Sequence, residues 1–312
     1  MIRVATWNLE NLFRPGEAAG PTSDAQYEAK LAASAATIGQ VAPDVLGVQE
    51  VGSPQALGDL VARLDGDWHT ELAAPDRRGI RVGLLSRTAL SNVDQTADFL
   101  EQLAPVQVDD DARTVTTMGR PALHARVEVA GTPVDVVCCH LKSKLLTFPG
   151  GRFSTSDEDE RARYAVYALG RRAAEAATVR GIAIQLLDGD GQHRAVVVLG
   201  DLNDTEHSAT TTLINGPGGS ETGTTGFARP DQGDASRLWS LAPAIPAERR
   251  FSRTYRGRRE LIDHILISHA LLAGLGDVNT LDTGAASVTD TPTARAGAPA
   301  SDHRPVLADL TP

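Results

Sequence analysis

Six groups of polar residues in this chain close or flank apolar runs of strand length. Asn8 and Glu10 follow the run 2–7, Glu50 follows 45–48, and His140 follows 134–139. Asp201 and Asn203 come after 196–199, Asp263 lies within 262–267, and Asp302-His303 precede 305–310. Polar side chains that repeatedly terminate buried-type strands mark one rim of a sheet structure. The residue types include the groups that hydrolysis of a phosphate ester needs. Carboxylates and amide oxygens can hold a hard divalent cation, a histidine can take a proton from water, and further donors can stabilise charge on phosphoryl oxygens. Each residue alone also has an ordinary reading. Asn8 can close a turn, Gly200-Asp201 and Ser301-Asp302 are common turn dipeptides, and Glu50 can cap a following helix.

The elements that must position these groups are visible in the periodicity. Leu31, Ala35, Ile38 and Ala42 recur at helical spacing within 24–42, and Pro43-Asp44 ends that helix. A further strand is expected over 80–85, and the runs 123–129 and 134–139 flank Gly131-Thr132-Pro133 as a hairpin connection. A long helix is expected over 157–180, capped by Ser156, with Ala165, Leu169, Ala173 and Ala176 on its packed face. Asp157-Glu158-Asp159-Glu160 at its start reads as a solvated first turn favoured by the helix dipole. The stretches 215–233 and 280–300, rich in Gly, Thr, Ala and Pro, read as a surface excursion and a mobile loop.

With 41% hydrophobic and 22% charged residues the chain falls among globular proteins, which excludes wholesale disorder and membrane-spanning classes. The net charge of −10 opposes sequence-independent attraction to nucleic acid, so any such binding must rely on a local basic patch. Two features could supply one. Lys142 and Lys144 are two of only three lysines, the other being Lys30, and they directly follow His140. Six arginines fall between 249 and 259, including Arg253, on a segment that alternates like a hairpin arm. Phosphate binding and a solvated edge that discourages strand pairing both fit the arginines. Cys138 and Cys139, adjacent in an apolar run, are expected as buried thiols, and their spacing suits no zinc site. The N-terminus lacks the apolar core of a secretory signal, so a cytoplasmic location is expected.

The runs Thr6-Trp7-Asn8-Leu9-Glu10-Asn11-Leu12, Val48-Gln49-Glu50, His140-Leu141-Lys142-Ser143-Lys144, Gly200-Asp201-Leu202-Asn203, Ile262-Asp263-His264-Ile265-Leu266 and Ser301-Asp302-His303-Arg304-Pro305-Val306 resemble, in order, the motifs of the endonuclease/exonuclease/phosphatase superfamily. The resemblance implies an α/β fold over a single domain, 1–312: a four-layer α/β/β/α sandwich of two mostly antiparallel sheets flanked by helices, DNase I-like. It also implies one Mg²⁺- or Mn²⁺-dependent site. By the same resemblance Glu50 is the principal metal ligand, with Glu10 and Asp302 near it, and Asn8 helps to orient the phosphate or metal. Asp201 and Asn203 position water and phosphate, His303 paired with Asp263 is the general base, and His140 stabilises the developing charge. Members often carry Asp where this chain has Glu10, one methylene longer.

The expected activity is a metal-dependent phosphodiesterase acting on nucleic acid, nearest the superfamily's bacterial nuclease branch. Lys142, Lys144 and Arg253 are its expected phosphate contacts beside Asn8. The alternatives are a phosphatase or phosphodiesterase for a small metabolite or lipid head group, and a non-catalytic scaffold. The retained Glu50, Asp201, Asn203, Asp263 and His303 argue against a scaffold. No obligate protein partner and no membrane span are expected.

Overall fold

The computed structural model describes residues 1–216, 233–289, 295 and 297–312. One sheet holds β1 (Ile2–Leu12), β2 (Val45–Val51), β3 (His69–Leu72), β4 (Arg81–Ser86), β15 (Leu275–Thr280) and β16 (Val306–Leu310), in the order β15-β16-β1-β2-β4-β3. The other holds β5 (Ser91–Asp98), β8 (Thr117–Val129), β9 (Thr132–His140), β10 (Ala195–Asp201), β11 (Leu238–Ser240) and β14 (Asp263–Ser268), in the order β11-β14-β10-β9-β8-β5. Two short hairpins stand apart, β6 (Val106–Gln107) with β7 (Thr114–Val115), and β12 (Arg253–Tyr255) with β13 (Arg258–Glu260). Each large sheet contains one parallel pair, β1 with β2 and β9 with β10; their other pairings are antiparallel.

Side-chain alternation turns these sheets into layers. On β1, Val4 faces the second sheet, where it joins Val45, Val136, Cys138, Val197, Leu199, Ile265 and Ile267 in one core. Ala5, Trp7 and Leu9 face the other way, onto Leu31 and Ile38 of α1 (Asp24–Val41) and Leu57 and Leu60 of α2 (Pro54–Val61). The outer face of the second sheet, with Val137, Val196, Val198 and Leu266, is covered by Val179, Ala183 and Leu187 of α3 (Glu158–Leu187) and Ile214 of α4 (Ala209–Asn215). Helix, sheet, sheet, helix is thus the stacking order, as the motif resemblance implies. The sheets pack tightly at Gly47, where a Cβ would lie 2.1 Å from Leu199 Cδ1.

Several local expectations are corrected. β1 runs to Leu12, so Asn8 and Glu10 lie inside the strand and do not follow it. The turn between β8 and β9 is Ala130-Gly131, both at positive φ; Thr132 and Pro133 already pair in the strand. α3 extends to Leu187, and its cap is Asp157, whose carboxylate accepts from the amides of Asp159 and Glu160. Its packed face follows the expected row only at its later end: Ala176 is fully buried, but Ala165 and Leu169 are exposed, while Tyr164, Ala168, Arg172, Glu175 and Val179 are buried. The helix after β2 is capped by Ser53, which leaves Glu50 free of that role. Both cysteines are buried and unpaired, as expected. Most of the 215–233 excursion, and residues 290–294 and 296 of the later loop, lie outside the described residues. No helix among the described residues is long and apolar enough to cross a membrane.

Candidate active site

The site is the polar end of the inter-sheet core. Side chains pointing between the sheets pass from Val4 through Thr6 to Asn8 on β1, from Val136 and Cys138 to His140 on β9, and from Val197 and Leu199 to Asp201 on β10. β14 runs antiparallel to β10, so its polar residue comes first, Asp263 before Ile265 and Ile267. Register then sets His140, Asp201 and Asp263 side by side, because Asp201 pairs with both of the others. Asn8 joins the sheets: its Nδ2 donates to Asp201 Oδ2 at 3.0 Å and to Glu50 Oε1 at 3.3 Å.

Backbone strain concentrates here. Glu10, Asn11, Glu50 and Asn203 all have positive φ, between 51° and 63°, a region that side chains other than Gly and Asn seldom enter. The β1–β2 register shifts between Asn8 and Leu12, and the β2–β4 register between Gln49 and Val51. These bulges re-aim Glu10 and Glu50 from the alternation that their strands would impose. Glu50 is then held by the Asn11 amide, which donates to Oε2 at 3.0 Å. Gly200 has φ 148°, and a Cβ there would lie 2.0 Å from the Cys139 carbonyl oxygen, so no other residue fits immediately before Asp201.

His303 Nδ1 lies 2.7 Å from Asp263 Oδ2, with both side chains buried. Burial alone would lower the His303 pKa, but the carboxylates of Asp263, Asp302 and Asp201 outweigh it and raise it to about 10. Asp201 is pushed up to about 7 by burial and by the Asp263 carboxylate. His140 moves the opposite way, well below its ordinary value, through burial and the charges of Arg120, His303 and Arg78. It is therefore a neutral imidazole whose Nε2 lies 3.4 Å from Asp201 Oδ2. Ligand atoms of Asp201, Asp263 and His303 lie within 4.8 Å of one another, close enough to hold a cation. The short His303–Asp263 hydrogen bond and the raised His303 pKa favour proton handling there instead.

The three carboxylates that the motif resemblance makes metal ligands gather beside this group, and two of them, Glu10 and Asp302, each pair with an arginine. Glu10 accepts from Arg295 Nε at 2.7 Å and Nη2 at 2.9 Å, and from the Asp302 amide at 2.9 Å. Asp302 Oδ2 is 3.2 Å from Arg253 Nε, an ion pair without hydrogen-bond alignment. Lys30 of α1, 5% exposed, feels the charges of Glu10, Glu50 and Asp302, and burial lowers its pKa. The donor set is oxygen throughout, and the nearest thiols are buried, with Cys138 pushed up to about 12 by burial. Such donors fit a hard cation such as Mg²⁺ or Mn²⁺ and do not fit a thiolate site.

Residues that sequence motifs do not reveal hold the His140 end. Arg120 Nε and Nη2 donate to the carbonyls of His140 and Leu141 at 3.0 and 2.8 Å, and Asn203 Nδ2 donates to Leu141 O at 3.0 Å. Glu175 accepts from the amides of Gly119 and Lys142, and Arg172 reaches both Lys142 O and Asp204 Oδ2. Asp204 also accepts from Ser208, Thr210 and Lys144, and its carbonyl lies 2.8 Å from His264 Nε2. His264 therefore serves the loop after Asp201. The two lysines are engaged likewise. Lys142 Nζ donates to the carbonyls of Ser143 and Leu145 at 2.8 Å each, and Lys144 Nζ lies 3.1 Å from Asp204.

A family profile, the Endonuclease/Exonuclease/phosphatase family, matches residues 5–303. No curated protein sequence matches. Similar solved structures include a 3′-5′ exonuclease from Neisseria meningitidis, 19% identical, covering 99% of each chain at TM-score 0.56. An AP endonuclease from Archaeoglobus fulgidus is 16% identical over 100% of each chain, at TM-score 0.57. A mannosyl-6-phosphatase from Bacteroides thetaiotaomicron is 17% identical over 100% of each chain, at TM-score 0.58. At these identities the likeness shows the fold.

Proposed function

The chain belongs to the Endonuclease/Exonuclease/phosphatase family, a family of phosphoric ester hydrolases, and on that premise we propose that it is a divalent-metal-dependent phosphodiesterase acting on nucleic acid. The observation that carries the reading is the buried His303–Asp263 pair beside Asp201 and His140, at the polar end of the core. Asp263 holds the imidazole in one tautomer through Nδ1, so that Nε2, 3.9 Å from Asp302 Oδ1, can take the proton of an attacking water. Neutral His140 supplies an N–H donor to a phosphoryl oxygen, and Arg120 fixes its backbone. Asn8 and Asn203 orient the phosphate. A divalent cation held by Glu50 with Asp302 would polarise a phosphoryl oxygen and offset the carboxylate charge that otherwise keeps the proton on His303.

Charge distribution favours a polyanionic substrate. The chain is acidic, yet the β12–β13 hairpin next to Asp302 carries Arg253, Arg256, Arg258 and Arg259, and exposed Arg78 stands near His140. A concentrated basic rim on an acidic molecule captures phosphates locally. Likeness to the mannosyl-6-phosphatase supports a second reading, a phosphatase for a small sugar phosphate. Purified protein with Mg²⁺ or Mn²⁺ should cleave at least one of single-stranded, double-stranded or abasic DNA, or RNA. Turnover of phosphomonoesters alone would sink the nuclease reading and leave the second standing.

A further inference from the structure

Glu10 has little capacity left for a cation. Its Oε1 accepts from Arg295 Nε at 2.7 Å, while Oε2 accepts from Arg295 Nη2 at 2.9 Å and from the Asp302 amide at 2.9 Å. Two parallel N–H···O bonds to one carboxylate are the strongest geometry an arginine offers. The arginine is anchored from its own side too, because Nη2 also donates to the Ala300 carbonyl. Ser301 Oγ donates to Asn8 O at 2.7 Å and accepts from the His303 amide at 3.0 Å. Glu10 and Ser301 therefore pin both sides of Asp302, and through them the segment that presents His303.

Charge points the same way. Three cations, Lys30, Arg295 and Arg253, already stand among the carboxylates of Glu10, Glu50 and Asp302, and the one on Glu10 is Arg295. A metal ion at Glu10 would have to displace that guanidinium or lie against it, where like-charge repulsion in a half-buried cluster is costly.

We propose that Arg295 takes the place of a second cation at Glu10, so that this centre binds a single divalent ion, at Glu50, and Glu10 is a positioning residue for the Asp302–His303 segment. The proposal rests on the family's metal dependence and not on the choice of nucleic acid as substrate. Its test is the binding stoichiometry of Mn²⁺, measured by titration calorimetry and by the electron paramagnetic resonance of bound Mn²⁺. Expected values are one ion for the native chain, one for Glu10→Gln, none for Glu50→Gln and two for Arg295→Met, with circular dichroism confirming that each variant is folded. Two ions in the native chain, none in Glu10→Gln, or no second ion in Arg295→Met overturns it. A chain that binds one ion yet cleaves no nucleic acid would defeat the proposed substrate and leave this inference intact.

Discussion

His303 and Asp263 lie 40 residues apart in the chain, yet their side chains meet at 2.7 Å in a buried hydrogen bond. Asp263 fixes the tautomer of the imidazole and stabilises its protonated form, so Asp263→Asn should remove both effects while keeping the shape. General-base catalysis is worth roughly 10²–10⁴ in rate, and most of that should vanish from kcat. Residues that act as a unit are non-additive, so Asp263→Asn combined with His303→Ala should cost little more than His303→Ala alone. Steady-state kinetics of the three variants checks this, and losses that simply multiply would show that the pair does not act as one.

The polar rim was open to sequence reasoning because apolar runs of strand length close on or flank these residues, whereas the pairing of His303 with Asp263 is what the motif resemblance implies. What the sequence does not display is the second set of partners. Glu175 and Arg172 look like solvated residues on an alanine-rich helix; only α3 packing against the β8–β9 end reveals that they tie Gly119, Lys142 and Asp204. Arg120, Lys30 and Arg295 are hidden for the same reason: a buried charge is intelligible only beside its counter-charge, and each partner lies 20 or more residues away. The positive φ at Glu10 and Glu50 is equally invisible, since neither residue type advertises a bulge.

His140 is neutral because burial and nearby cations disfavour its charged form. His140→Ala should lower kcat by about 10²–10³, the usual loss for one charge-stabilising donor. Because its pKa lies well below the ordinary histidine value, His140 adds no titration step near neutral pH. The acid limb of the native kcat–pH profile should therefore keep its midpoint in His140→Gln, and a displaced midpoint would contradict the neutral assignment.

Asp204 is a structural hub, bound by Arg172, Lys144, Ser208 and Thr210. Burial would raise its pKa, but those hydrogen bonds and the Lys144 charge hold it far below the ordinary aspartate value. The folded state thus binds fewer protons here than the unfolded chain. Its contribution is fully present above about pH 4 and is lost as pH falls through the lower folded value. Asp204→Ala leaves Arg172 buried without its partner and should cost about 3–5 kcal/mol. Urea unfolding at neutral pH and near pH 3 should show the native-to-variant gap narrowing in acid.

Metal should act on the fold as well as on the reaction. A cation that binds only the native state, present at a hundredfold its Kd, stabilises it by about 2.7 kcal/mol. Thermal unfolding with Mn²⁺ and with a chelator should therefore differ for the native chain, and the difference should disappear in Glu50→Ala. A shift that persists in Glu50→Ala would place the cation elsewhere, the Asp201–Asp263–His303 group being the alternative.

Gly47 couples the core to the site. It faces the second sheet where a Cβ would meet Leu199 Cδ1 at 2.1 Å and Cys138 Sγ at 3.0 Å. Leu199 is fully buried and lies two residues before Asp201, while Cys138 lies two before His140. Gly47→Ala must push these side chains or part the sheets, and overpacking of this kind costs about 1–3 kcal/mol. Leu199→Ala should cost about 2–5 kcal/mol by leaving a cavity. The new methyl group fills part of that cavity, so the double variant should be more stable than the sum of the single losses predicts. If denaturant unfolding instead gives strictly additive losses, the sheets are not in contact at Gly47, and the overlap with Leu199 is relieved by a shift of the backbone.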